Sequence, residues 1–224
     1  MKMQTTSGEK VRKFEKKFSK YVGSKYGTMV NSGSSANLLA LSILSNPLLK
    51  NRIKPGDEII TPAVTWATTV YPISNINAIP RLVDVKLDDY TIDPDSIEKA
   101  INNKTKAIMI VHLLGNPCDM KKIVKIAKKH NLWLIEDSCE AHGAKFNGKH
   151  VGTFGDLATF SFFASHHITT MEGGMLITNN KVLHEFAKSM RTFGWSRELS
   201  SKKHIEKKFS NIDSKFLFVN TGFN

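Results

Sequence analysis

Apolar positions along the chain alternate between helical spacing and the short continuous runs of buried strands. Between residues 11 and 22 they recur at helical intervals, and Gly23 follows as a stop signal. Asp93 and Pro94 supply an N-cap and a first helical residue, whereas 107–112 is a continuous run typical of parallel sheets. The pattern predicts helices over 11–22, 34–44, 66–73, 95–101, 121–129 and 181–191, and strands over 58–60, 81–85, 107–112, 132–135, 159–163 and 175–178.

This alternation of strands and helices indicates an α/β fold. Because strands that alternate with helices usually pair in parallel, we expect three layers with a mostly parallel sheet covered on both faces. No internal repeat, low-complexity linker or change of composition marks a domain boundary. The sequence therefore predicts one structural unit over residues 1–224.

Composition excludes several classes of protein. Of 224 residues, 41% are hydrophobic and 23% charged, which is enough apolar material for a core and unlike a disordered chain. No apolar run approaches the length of a membrane span, and the charged start does not resemble a secretory signal. Cys118 and Cys139 form no C-x-x-C pair, which argues against a disulfide scaffold or a four-cysteine metal site. We expect a cytoplasmic protein without a metal and without a membrane partner.

The net charge is +12, from 32 lysines and arginines against 20 acidic residues. Such an excess favours anionic partners. The basic residues are dispersed over helix-like segments, however, without the interleaved aromatic residues of a surface that stacks bases. We therefore favour a solvated basic face, then a small ligand that carries phosphate, and we expect no nucleic-acid partner.

Four clusters follow predicted strands or open predicted helices, where ligands bind in parallel sheets. The segment 31–37 could cradle a phosphate at a helix N-terminus or simply cap that helix. Asp137 ends a buried strand, so its carboxylate either caps the next segment or meets a cationic group. Trp66 is a core aromatic or a ligand contact. The segment 161–174 combines two histidines with hydroxyl groups and a Glu-Gly-Gly, a combination that packing does not explain.

Together these clusters resemble the DegT/DnrJ/EryC1/StrS family along essentially the whole chain. The motifs appear in order as NSGSSANL, PGDEIITPAVTW, VDV, AIMIVHLLGNPCDM, LWLIEDSCEAHGA, VGTFGDLATFSFFASHHITTMEGG and the final GFN. The resemblance implies the large domain of a fold-type I enzyme that depends on pyridoxal phosphate (PLP) and acts on nucleotide-linked keto-sugars. It also implies a smaller C-terminal domain that this chain lacks, so residues 1–224 are expected to be an incomplete large domain.

The resemblance assigns roles to individual residues. It implies that Ser34, Ser35 and Ser161 hold the cofactor phosphate, and that Trp66 lies against the pyridine ring. Asp137 would pair with the protonated ring nitrogen, which makes the ring a better electron sink. Glu140 would also contact the cofactor, at a position where aminotransferases of the family usually have Gln. Asn224 would reach the phosphate in the neighbouring subunit's site, which implies a homodimer.

One departure from the family pattern concerns the chemistry. His166 stands where most members have the lysine that forms a Schiff base with the cofactor, and no lysine occurs between Lys149 and Lys181. An imidazole cannot form that bond, but it can move protons near neutral pH. The pattern S-F-x-x-S-H-H-x-x-T-x-E-G-G resembles the nucleotide-sugar 3-dehydratases of the family. His167 could orient its neighbour or simply pack; we favour packing.

This likeness implies a reaction and its reactants. Expected is a 3-dehydratase of a nucleotide-linked 4-keto-6-deoxy sugar in dideoxysugar (O-antigen, lipopolysaccharide) biosynthesis. It would use PLP and pyridoxamine phosphate as cofactor forms, glutamate as the amino donor, and His166 as acid and base. An iron–sulfur-dependent sister enzyme is disfavoured because residues 191–210 contain no cysteine. The alternatives are a nucleotide-sugar aminotransferase with its lysine elsewhere, or a non-catalytic relative or fragment.

Overall fold

The computed structural model describes residues 8–223, in which a seven-stranded sheet is covered by helices on both faces. The helices are α1 Glu9–Val22, α2 Gly33–Leu44, α3 Ala67–Asn75, α4 Pro94–Ala100, α5 Met120–Lys129, α6 Lys181–Met190 and α7 Lys202–Lys208. The strands are β1 Tyr26–Val30, β2 Glu58–Pro62, β3 Ile79–Val83, β4 Thr105–Val111, β5 Trp133–Asp137, β6 Lys145–Phe146, β7 Lys149–His150, β8 Leu157–Ser161 and β9 Gly174–Thr178. Strands β6 and β7 form a separate two-stranded hairpin.

The sheet has the strand order β1-β9-β8-β5-β4-β2-β3. Strand β9 pairs in antiparallel fashion with both β1 and β8, whereas the other neighbours pair in parallel. The predicted α/β class with a mostly parallel sheet is therefore confirmed. Because six strands run in one direction, their carboxyl ends meet at one edge of the sheet.

Alternate residues of the central strands pack against different helices. Ile108 and Leu134 are paired across β4 and β5, and they belong to a cluster with α4 and α5. The next pair, Met109 and Ile135, points the other way into a cluster with α2 and α6. On the α5 side, α1 packs against β8 and β9. The lysines of α1 and α5 are exposed, which agrees with the predicted solvated basic face.

Most predicted elements lie within two residues of their observed bounds. Gly23 ends α1 with a φ of 85°, and Asp93 caps α4 through the N–H groups of Asp95 and Ser96, as their residue types predict. Strand β1 and the β6–β7 hairpin are not predicted by the sequence pattern. Within residues 8–223, no helix combines the length and the apolar character that crossing a membrane requires.

A buried carboxylate in β5 ties the loop after the hairpin to the sheet. Glu136 is fully buried, and its oxygens accept hydrogen bonds of 2.6–2.7 Å from the backbone N–H groups of Gly152, Phe154 and Gly155. A fourth contact, 3.1 Å, comes from Nε2 of His112. Since His112 Nδ1 accepts from the Cys118 N–H, its Nε2 carries the proton. Strand β5 is thus anchored through Glu136, the residue before Asp137 at which the strand ends.

Replacing Glu136 with Gln should destabilise the protein strongly although the shape is kept. The new amide would turn its own N–H groups toward backbone donors, so buried donors lose their acceptor, at a cost of about 2–3 kcal/mol. Urea unfolding measures this change. As a control, Glu206→Gln removes only a surface pair with Lys202 and should alter stability by less than about 0.5 kcal/mol. Equal effects of the two substitutions would contradict the role of Glu136.

Candidate active site

A cavity of about 450 Å³ opens at the sheet edge where the parallel strands end. It is bounded by the ends of β4, β5 and β8, by the N-terminus of α2 and by the start of α3. Six of the eight site residues predicted from the sequence line it: Ser34, Trp66, Asp137, Glu140, Ser161 and His166. Ser35 does not line it, and Asn224 lies outside the described residues.

Asp137 is the buried anion of the cavity. Its Oδ2 accepts hydrogen bonds of 2.8 Å from Asn37 Nδ2 and from Thr69 Oγ1, and its Oδ1 accepts one of 3.1 Å from the Cys139 N–H. Thr159 Oγ1 in turn donates to Asn37 Oδ1 at 2.6 Å, which fixes the orientation of the amide. These donors are neutral, and within residues 8–223 no cationic side chain pairs with Asp137. A buried carboxylate held in this way suits a cationic group on a ligand.

The N-terminus of α2 faces the same cavity. Ser32 caps the helix by accepting from the Ser35 N–H at 3.1 Å, and its hydroxyl donates to Ser35 Oγ. The side chain of Ser35 is therefore engaged in the cap and not turned to the cavity. The N–H groups of Gly33 and Ser34 have no acceptor within the helix, so they are available to an anion. A Cβ at Gly33 would lie 2.6 Å from Ser161 Cβ, so only glycine fits there.

A loop between β8 and β9 carries His166. Both backbone groups of Phe162 close its base, because the Phe162 N–H donates to Gly173 O at 2.9 Å and the Phe162 carbonyl accepts from Thr170 N–H at 3.0 Å. His166 is half-buried at the cavity wall, and its backbone N–H donates to the backbone carbonyl of Phe163. His167 is exposed, with its ring 6.4 Å from that of His142.

Trp66 stands at the mouth of the cavity. It is the residue before α3, and 73% of it is exposed although it lines the cavity. The turn that it begins brings Thr68 Oγ1 within 2.8 Å of Ser34 Oγ, which donates to it. An aromatic side chain with this exposure lacks a partner in the core, which favours the interpretation of Trp66 as a ligand contact over a core residue.

Several residues of the cavity are missing from the sequence prediction. Thr68, Thr69 and Cys139 lie outside the clusters that the sequence singles out, whereas Asn37, Phe163, Ser165 and Glu172 lie inside the segments 31–37 and 161–174 without being named as site residues. A signal existed for Asn37, because it is a polar residue within the otherwise apolar stretch of α2 and lies one turn after Ser34. For Thr69 the sequence carries no such signal, since its partner Asp137 is 68 residues away.

Comparison with known proteins decides the family. The model of the DegT/DnrJ/EryC1/StrS aminotransferase family matches residues 1–222. This chain is a member of that family. The predicted family and the predicted fold are thereby confirmed, and the fold-type I architecture accounts for the position of the cavity at the carboxyl ends of the strands. The individual roles of the site residues stay predictions.

Two named relatives are each about 45% identical to this chain over the aligned residues. A GDP-4-keto-6-deoxy-D-mannose 3-dehydratase of Yersinia pseudotuberculosis is 45% identical over 221 residues, which are 98% of this chain and 56% of the relative. A GDP-perosamine synthase of Escherichia coli O157:H7 is 46% identical over 181 residues, 81% of this chain and 48% of the relative. The chain thus spans about half the length of the curated relatives that it matches.

A solved structure extends the comparison to three dimensions and to the cofactor. The crystal structure of a GDP-4-keto-6-deoxymannose-3-dehydratase with a trapped PLP-glutamate geminal diamine superposes with a TM-score of 0.90 at 42% identity. The superposition covers 97% of this chain and 56% of the solved chain. The predicted pyridoxal-phosphate cofactor is therefore confirmed for the family.

Neither thiol of the protein should react as a nucleophile in the folded state. Burial raises the pKa of Cys118 to about 12, and burial beside Asp137 raises the pKa of Cys139 well above its usual range. Since the thiolate is the reactive form, iodoacetamide at pH 7.5 should leave both thiols unmodified in the native protein and label both after unfolding. Mass spectrometry measures the label, with Cys118→Ala and Cys139→Ala to assign it. Rapid native labelling of Cys139 would contradict the protonated thiol.

Proposed function

We propose that this chain is the cofactor-binding part of a 3-dehydratase that uses PLP and pyridoxamine phosphate. Its substrate would be a nucleotide-linked 4-keto-6-deoxy sugar, and its pathway dideoxysugar synthesis for O-antigen or lipopolysaccharide. The single observation that carries the proposal is the imidazole of His166 at the cavity wall. Among the described residues, those that line this cavity include no lysine, and a dehydratase that lacks the Schiff-base lysine needs an acid and base of another kind.

The cavity wall suits the cofactor group by group. Asp137, surrounded by neutral donors, would pair with a protonated ring nitrogen. The N–H groups of Gly33 and Ser34 at the helix N-terminus, with the nearby Ser161 hydroxyl, would hold a phosphate. Trp66 would cover one face of the ring, since its own ring is largely exposed. When bound, the cofactor supplies an amine that condenses with a ketone and a ring that accepts an electron pair.

His166 would move the protons of the reaction. It lies on a loop whose base is closed by the backbone hydrogen bonds of Phe162, and its side chain lines the cavity. A neutral ring nitrogen would take a proton from the C4′ carbon of the cofactor. The imidazolium would then return a proton to the hydroxyl that leaves C3 of the sugar. Asp137 would hold the ring nitrogen protonated throughout.

The identity of the reactants rests on the relatives. GDP as the nucleotide and 4-keto-6-deoxymannose as the sugar are proposed because the Yersinia enzyme carries that name at 45% identity. Glutamate as the amino donor is proposed because the solved relative holds a PLP-glutamate geminal diamine.

The remaining proposals concern assembly. Because the chain spans about half of its relatives, we propose that residues 1–224 correspond to their large cofactor-binding domain and that a smaller domain completes the substrate site. A homodimer in which Asn224 reaches the neighbouring site follows from the same likeness.

A nucleotide-sugar aminotransferase of the same family is the second candidate. The family description and the 46% identity to a GDP-perosamine synthase favour it. An aminotransferase would need a lysine that reaches the cofactor, and the cavity described here offers none among its lining residues in 8–223.

Substitution of His166 tests the proposal directly. His166→Lys should attach PLP covalently and should abolish loss of the C3 hydroxyl. The attachment is measured by mass spectrometry, as a mass increase of the protein after borohydride has reduced the Schiff base. His166→Asn should neither attach the cofactor nor move the proton, and activity should fall by at least about 100-fold. Retained 3-dehydration in His166→Asn would show that another group supplies the base.

Replacing Asp137 with Asn should weaken cofactor binding, because the charge that stabilises the ring cation is removed. We expect a loss of roughly 10- to 100-fold in PLP affinity, measured by the change in cofactor absorbance on titration. Asp119→Asn is the matched control. Asp119, which is not among the residues that line the cavity, caps α5 by accepting from the Lys122 N–H, and Asn caps equally well. Unchanged affinity in Asp137→Asn would contradict the proposed pairing.

A further inference from the structure

The turn that follows β4 adopts an unfavourable backbone conformation beside the cavity. Leu114 has φ 52° and ψ 27°, and Gly115 has φ 83°. Leucine rarely occupies this left-handed region, and 81% of Leu114 is exposed, so burial of its side chain does not compensate. Its neighbour Leu113 lines the cavity. Some other contact must therefore hold this turn in place.

Glu140 makes that contact. Its Oε2 accepts a hydrogen bond of 2.8 Å from the Leu114 N–H, across 26 residues of chain. The backbone is close as well, because a Cβ on Gly115 would lie 3.3 Å from the Glu140 carbonyl oxygen. A bond from an N–H to a carboxylate is stronger than one to a neutral acceptor. The Glu140 carboxylate thus stabilises the left-handed conformation of Leu114.

The turn is also anchored from its other side. His112, which precedes Leu113, is fully buried and bonds to Glu136 at 3.1 Å. The Gly115 N–H donates back to His112 O, and the Asn116 N–H donates to Leu113 O. Leu113 therefore lies between two carboxylate anchors that both come from β5 or the segment just after it. Glu136 holds the strand end, and Glu140 sets the direction of the turn.

We infer that Glu140 is a positioning residue, which fixes the Leu113–Gly115 turn so that Leu113 forms an apolar wall for the sugar. The methyl-bearing side of a 6-deoxy sugar suits this wall. An aliphatic side chain packs against a methyl group, but it offers no hydrogen-bond partner to a hydroxyl group. This role differs from the cofactor contact that family likeness implies for Glu140. The part that concerns the sugar rests on the proposed function; the part that concerns the turn does not.

Hydrogen exchange tests the positioning role without any activity. In Glu140→Ala the Leu114 amide loses its acceptor, and its protection should fall at least tenfold, which corresponds to about one lost hydrogen bond. Glu140→Gln keeps an acceptor oxygen and should retain protection. Glu140→Asp, one methylene shorter, should lose it, and this variant serves if Glu140→Ala does not fold. Unchanged protection in both shortened variants would overturn the inference.

Kinetics of the PLP-loaded full-length protein test the link to the sugar. Glu140→Ala should raise KM for GDP-4-keto-6-deoxymannose about tenfold, with a smaller change in kcat, and Glu140→Gln should lie closer to the wild type. Because both residues act through one wall, the double variant Glu140→Ala/Leu113→Ala should raise KM no more than about twofold beyond the larger single effect. Independent effects that multiply, or an unchanged KM, would overturn the role in substrate binding. If the wild type shows no dehydratase activity, the proposed function fails while hydrogen exchange still decides the positioning role.

Discussion

The buried carboxylate of Asp137 is the constraint on which the site depends. It lies at the end of β5, where the sheet edge opens into the cavity. Within residues 8–223 its hydrogen-bond donors are neutral: the amide of Asn37, the hydroxyl of Thr69 and the N–H of Cys139. These donors belong to α2, α3 and the segment after β5. A carboxylate held by neutral donors is stabilised without an ion pair among the described residues, which is the basis for proposing that it pairs with a cationic ring.

The sheet is organised around this edge. Because β9 alone runs against the other six strands, the parallel strands deliver Asp137, Ser161 and the turn after β4 to one side. Glu136 points to the opposite face from Asp137 and anchors the neighbouring loop and strand through four hydrogen bonds. Two adjacent acidic residues thus serve different purposes: the first anchors the strand, and the second faces the ligand site.

The sequence predicts the elements better than the contacts between them. Helices and buried strands follow from periodicity, caps and continuous apolar runs, and Asp137 stands out because a charge ends a buried strand. Strand β1 escapes prediction because its residues, YGTMV, neither alternate nor form a long apolar run. The partners Asn37 and Thr69 lie 100 and 68 residues from Asp137, and the acceptor of the Leu114 N–H is 26 residues away. Such pairings depend on the topology of the sheet, which local patterns do not carry.

The proposed reaction is removal of a hydroxyl group by a member of an aminotransferase family, with the imidazole of His166 acting where a lysine is usual. The most direct measurement uses the full-length protein with PLP, glutamate and GDP-4-keto-6-deoxymannose, and records the mass of the sugar product together with the ammonia released. A 3-dehydratase yields a product lighter by one oxygen atom and ammonia in equal amount, and this is the expected result. A product that keeps nitrogen at C4, without release of ammonia, would contradict it and identify an aminotransferase.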